Sequence, residues 1–218
     1  MTNSPKHVYN VKFKARKKIT DGTWDNVEVL DDFKQPWNDR PLQKTRFRAF
    51  HDGEWLYLRY DVDDTSIVTY VRNNDKIEVA YSDRVEIFFR KDEAMERYYC
   101  LEIDPNGRVL DYCASFYRDF DYGWSWPKEQ LYANASITEE GYRVDLRIGL
   151  KSLSNIGVLL NGELSSGIFR ADCKNRGPTF QKTSDFHWIT WVDPKTQEPD
   201  FHVPSSFGKL KLLDLYKR

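Results

Sequence analysis

The sequence is poor in net charge: 33 basic residues face 34 acidic ones and leave a formal charge of -1. No long-range field is available to recruit nucleic acid or an anionic membrane surface, so an uncharged partner is expected. No apolar run reaches the roughly 18 residues that a spanning helix needs, and no membrane span is expected. The opening MTNSPKHVYNVKFKARKK also lacks the apolar stretch of about 7 to 15 residues typical of an export leader. The expectation is a cytoplasmic protein or the mature form of an exported one.

Cysteine and methionine are scarce too. Cys100, Cys113 and Cys173 are odd in number, and two Met are present. Cys100 and Cys113 flank a hairpin whose turn decides whether they face each other. A two-residue turn at Asn106-Gly107 would set them opposite one another, but it would place Pro105, which has no N–H, in a ladder position. A type I turn over Asp104-Pro105-Asn106-Gly107, with Gly107 in the left-handed position, pairs Ile103 with Val109 and Cys100 with Tyr112. Three free thiols are therefore expected. The four histidines show no HxxH or HExxH spacing, and no transition-metal site follows from them. Met95 lies in a charged connection, which argues against a haem ligated by Met and His.

Aromatic rings, by contrast, are plentiful: 13 Phe, 13 Tyr and 7 Trp make 15% of the chain, within 40% hydrophobic residues. That is enough to bury a core. Long helical periodicity is missing, and short alternating segments recur between turn signals. Arg46 to His51 and Trp55 to Val62 form one hairpin, with Leu56, Leu58, Tyr60 and Val62 on its core face. In Arg84 to Phe89, Val85, Ile87 and Phe89 alternate with Arg84, Glu86 and Phe88. Tyr98 to Ile103 and Arg108 to Ala114 form a second hairpin, and Tyr132 to Thr138 with Tyr142 to Ile148 a third. A helical turn is expected at Leu150 to Ile156, with strands at Gly167 to Lys174, His187 to Val192 and Gly208 to Leu215.

Between the second and third hairpins, Ser115 to Glu129 packs six aromatics among charges and predicts one long structured loop. About ten strands are too many for one flat sheet. The fold class expected is all-β: an antiparallel two-sheet β-sandwich, with residues 1–218 forming a single domain.

Four stretches then carry a resemblance: FHDGEWLYLRYDVDD, DRVEIFF, IFRADCKN and ITWVDPKTQEPDFHVPSSFGKLKL. Their order resembles a family 9 carbohydrate-binding module and its broader group of single-domain, DOMON-like relatives. The resemblance implies a β-sandwich that holds a sugar between two Trp rings while polar groups grip its hydroxyls, with structural calcium in several members. Such modules often sit beside xylanase domains.

Trp191 in ITWVDP matches one clamp ring, and Glu86 in DRVEIFF matches a carboxylate that accepts from sugar hydroxyls. The position of the second Trp holds Ala80 here. Tyr81 is the nearest ring, and Trp124 and Trp126 of the aromatic loop are alternative walls.

A pyranose offers an apolar C–H face to an indole and hydroxyls to carboxylates and guanidinium groups around its edge. Alternation separates His187, Ile189 and Trp191 from Phe186, Trp188 and Thr190, and Trp188 is assigned to the core. Arg84 shares a face with Glu86, and Arg170, Asp172 and Lys174 share another; together they are candidates for the polar grip. The bland alternative for Glu86 and Arg170 is a solvated ion pair. For calcium, Asp61, Asp63 and Asp64 offer hard oxygen donors at a strand end, although without the Gly and distal Glu of an EF-hand loop.

No catalytic residue is assigned. A chain with 34 acidic residues always contains a pair at glycosidase spacing, so carboxylate count discriminates nothing. The functional expectation is non-catalytic carbohydrate binding. The alternatives are a structural or protein-binding sandwich whose sugar site has decayed, and a xylanase-like hydrolase.

Overall fold

A computed structural model describes residues 7–15, 19–174 and 185–216. Thirteen strands and one short helix are found among them: β1 Val8–Phe13, β2 Thr45–His51, β3 Trp55–Asp63, β4 Arg84–Arg90, β5 Tyr98–Ile103, β6 Val109–Ser115, β7 Asp119–Asp121, β8 Leu131–Ile137, β9 Gly141–Gly149, α1 Leu150–Asn155, β10 Leu159–Leu160, β11 Glu163–Cys173, β12 Phe186–Thr190 and β13 Gly208–Leu212. No helix among the described residues is long and apolar enough to cross a membrane.

The strands form two layers that share β1. The front sheet runs β7-β6-β5-β4-β11-β13-β1, and the back sheet runs β1-β2-β3-β9-β8. β1 pairs in parallel with β13 over Val8 to Val11 and then in parallel with β2 over Lys12 and Phe13, so the chain passes from one sheet to the other. This makes the sandwich mixed rather than purely antiparallel. β11 uses its far edge twice, pairing with β13 at Glu163 to Ser166 and with β12 at Phe169 to Cys173.

Hydrophobic alternation places the core between the layers. Val85, Ile87 and Phe89 of β4 and Leu101 and Ile103 of β5 meet Leu56, Leu58, Tyr60 and Val62 of β3 and Tyr142, Val144, Leu146 and Ile148 of β9, all buried. These are the faces that alternation predicts for β3, β4 and β9. The turn expected at Asp104–Gly107 is also found: Gly107 has φ +77°, Ile103 pairs with Val109, and Cys100 pairs with Tyr112. All three cysteines are free.

β1 was not anticipated, although Tyr9 and Val11 alternate cleanly into the core. Its partners lie across the whole chain, and only the assembled fold provides them.

The outer face of the front sheet is covered as well. Phe88, Tyr98, Cys100, Tyr112 and Phe169 form a second buried cluster with Met95 and Phe201. Phe201 stacks on Phe169 at 4.0 Å between centroids. The cover opens in one place.

Candidate carbohydrate-binding site

β4 sends Arg84, Glu86 and Phe88 outward, opposite Ala171, Phe169 and Gly167 of β11. β5 sets Glu102 directly across from Glu86. Two carboxylates thus sit side by side on the face under the cover, a juxtaposition set by the β4–β5 register.

Arg84 holds the pair apart. Its Nε donates to Glu102 Oε2 at 2.6 Å and lies 2.9 Å from Glu86 Oε1. Its Nη1 donates to the carbonyls of Ala80 and Ser82 at 3.1 and 3.3 Å. Tyr112 donates its hydroxyl to Glu102 Oε1 at 2.8 Å. One guanidinium therefore serves two buried carboxylates, a set with one negative charge too many for a site of low dielectric. Burial, and then the Glu102 carboxylate, push the Glu86 carboxyl up to about 8. Near neutral pH the pair keeps one proton, so it can offer a donor as well as acceptors.

These groups floor a cavity of about 160 Å³ whose walls include Ala80, Phe120, Tyr122, Trp188 and His202. Trp188 is half-buried, meets Phe201 edge-on at 5.3 Å, and carries the Arg84 guanidinium 5.5 Å from its ring. It also borders a groove of about 450 Å³ that contains Trp37, Arg40, His187 and Glu198. The indole thus forms a wall between an inner cavity and an outer groove.

On the other side, Arg118 ties the aromatic loop to Asp200 at 3.3 Å. Burial, followed by Arg118 and Arg84, lowers the His202 pKa to about 3. The neutral imidazole shares a 3.1 Å hydrogen bond with the Tyr98 hydroxyl.

Several expected site residues lie elsewhere. Trp191 is 2% exposed and packs in the core between the sheets, so its indole has no face for a ligand. Alternation pairs the right residues, but it is Trp191 that lies in the core and Trp188 that borders the cavity. Arg170 and Asp172 are corrected in the same way, because they point away from Glu86. Arg170 lies across from Val85, is 0% exposed, and donates to Asp64 Oδ2 at 2.9 Å and to the Asp63 carbonyl at 3.2 Å, which ties the front sheet to the end of β3. Asp172 contacts His187 Nδ1 at 2.9 Å.

Trp126 is 6% exposed, and its indole N–H donates to Ser152 Oγ at 3.1 Å; Trp124 packs on it and on Tyr99. The aromatic segment is not one uninterrupted loop, because Asp119–Asp121 pairs with β6 as β7, and it reaches the cavity through Phe120 of that strand and Tyr122 just after it. Tyr81 meets Tyr70 edge-on, and it is Ala80 that faces the cavity. Glu102, Tyr112 and His202 were missed; for Glu102 the signal was its register opposite Glu86. Lys174 borders the outer groove.

The calcium expectation also changes. Asp61 accepts from Arg48 and Arg143, each at 2.6 Å, and Asp63 accepts from Arg46 at 2.5 Å. Asp64 instead groups with Asp83 and Asp172, their oxygens within 4.8 Å of one another. Each already has a protein donor: Arg170 for Asp64, the backbone N–H groups of Cys173 and Val68 for Asp83, and His187 for Asp172. Calcium takes six to eight oxygens; the trio brings three carboxylates together, and each is already engaged by a donor of the protein.

Comparison with known families places this geometry. The model of the family described as "Carbohydrate family 9 binding domain-like" matches residues 18–215. The chain belongs to this family.

Solved structures agree with the family 9 fold. A candidate carbohydrate-binding protein of Bacteroides uniformis is 20% identical with a TM-score of 0.71, and the match covers 95% of this chain and all of that one. A family 9 module of Caldicellulosiruptor kristjanssonii bound to glucose is 19% identical with a TM-score of 0.57, covering 94% of this chain and 95% of its own. The same source's module bound to cellotriose is 16% identical with a TM-score of 0.58, covering 94% and 93%. No curated protein sequence matches the chain.

Proposed function

We propose that this family 9 chain binds a saccharide non-catalytically, with one sugar unit in the cavity beside Trp188 and the remainder crossing into the outer groove. The observation that carries this reading is the half-buried Trp188 indole standing beside the Glu86–Arg84–Glu102 group. An apolar sugar face stacks on the indole while its hydroxyls exchange hydrogen bonds with the two carboxyls. The neighbours bound to glucose and cellotriose support a neutral sugar as the ligand. The core shared by both sheets supports treating 1–218 as one module.

A hydrolase would need its two carboxyls on opposite sides of the scissile bond. Glu86 and Glu102 share one guanidinium on one face of one sheet, so they meet a bound sugar from the same side.

Calorimetry with cellotriose and xylotriose tests the proposal. Binding at millimolar affinity or better is expected, weakened about a hundredfold in Trp188→Ala and about tenfold in Glu86→Gln. No binding at millimolar concentration, or full binding by Trp188→Ala, would sink it. Release of reducing ends that disappears on changing either carboxylate would overturn the non-catalytic reading.

A further inference from the structure

The outer face of the back sheet carries a ladder of charges in which partners can be counted. Asp61 is matched by Arg48 and Arg143, Asp63 by Arg46, and Asp145 by Arg59, while Asp21 bridges Arg59 and Arg143. Four carboxylates thus engage four arginines. Arg147, the fifth, makes no ion pair or hydrogen bond among the described residues, and its buried Nε has no partner. It is held by rings instead, 4.5 Å from the Trp55 centroid and 4.1 Å from that of Tyr132. A guanidinium oriented by stacking keeps its fork of N–H donors for a planar anion, and a carboxylate fits that fork with two parallel bonds.

A groove of about 480 Å³ opens beside it, lined by Trp24, Tyr57, Tyr132, Asn134 and Arg147, together with Asp21 and Asp145, which both pair with Arg59. Tyr132 is 45% exposed, whereas Trp24 is 4% exposed with its indole N–H unpartnered. An exposed ring, an amide and an unmatched guanidinium suit a ligand with an apolar ring face, hydroxyls and one carboxylate. We infer that this groove is a second binding site, separate from the Trp188 cavity, for a carboxylate-bearing saccharide of the uronic acid class.

Nuclear magnetic resonance titration of the full chain with glucuronate, glucose and acetate tests this. Glucuronate shifts the indole N–H signals of Trp24 and Trp55 saturably. Its affinity falls about tenfold in Arg147→Gln and also falls in Tyr132→Ala, while Trp188→Ala leaves it unchanged. Acetate binds these signals about tenfold more weakly than glucuronate, since it lacks the ring.

The inference is overturned if glucuronate moves only signals around Trp188, if nothing saturates by about 50 mM, or if acetate matches glucuronate. The wild-type shift map does not depend on any variant folding. Loss of cellotriose binding with glucuronate binding intact would remove the first site and leave this one standing.

Discussion

The two sheets treat their outer faces differently. On the back sheet, β8 and β9 alternate between more and less exposed positions along most of their length. Apart from the buried Arg59 and the unmatched Arg147, the charges on its outer face are part-exposed and matched across neighbouring strands. On the front sheet, β4 is buried from Arg84 to Phe89 and β5 throughout, because the aromatic loop and the segment around Phe201 lie over the outside. Water solvates one set of charges. In the other set, Arg84, Glu86 and Glu102 depend on one another, and that dependence makes the covered face a candidate binding surface and an energetic liability.

The sharpest way to break this comparison is to remove a front-sheet partner. Arg84→Met leaves Glu86 and Glu102 buried without their cation, and a loss of about 3–5 kcal/mol is expected in denaturant unfolding. Trp191→Ala should cost a similar 3–5 kcal/mol, through a cavity between the sheets. Trp188→Ala, three residues away, should lose sugar binding with a much smaller change in stability.

The pH response comes next. Glu86 is raised to about 8 and Asp83, mainly by burial, to about 7, so the folded chain keeps protons that the unfolded chain has released. Stability is therefore lost as pH rises through those values. His202, held near 3 against an ordinary 6.5, acts in the opposite sense, but only below its unfolded value. Between about pH 6.5 and 8.5 the carboxyls dominate, and a loss on the order of 2–3 kcal/mol is expected. It would appear as a falling Tm, with a slope flattened by Glu86→Gln. The smallest effect belongs to the back sheet: Arg143→Ala, which breaks part-exposed pairs with Asp61 and Asp21, should cost less than about 1 kcal/mol and less still in high salt. A large loss there would end the contrast.

The same contrast explains what could be read in advance. On β3 and β9 the predicted core faces are the observed ones, and the Gly107 turn sets the β5–β6 register as its residues demand. Around β12, alternation separates Trp188 from Trp191, which directly follows the strand, but does not say which side is inside, because both sides are covered. Arg170 was misassigned for a related reason: a charged residue in an alternating strand reads as outward-facing, unless a carboxylate such as Asp64 awaits it across the interior.

Sequence alone determined the β-sandwich, the turn registers, the three free thiols, and the segments from which the site is drawn, because these depend on periodicity and on residues near one another in the chain. Tertiary structure decided which Trp faces the cavity, which carboxylate partners Glu86, and which rings of the aromatic loop reach it. Those choices depend on what covers the front sheet, and the covering segments come from parts of the chain whose spacing carries no record of where they land.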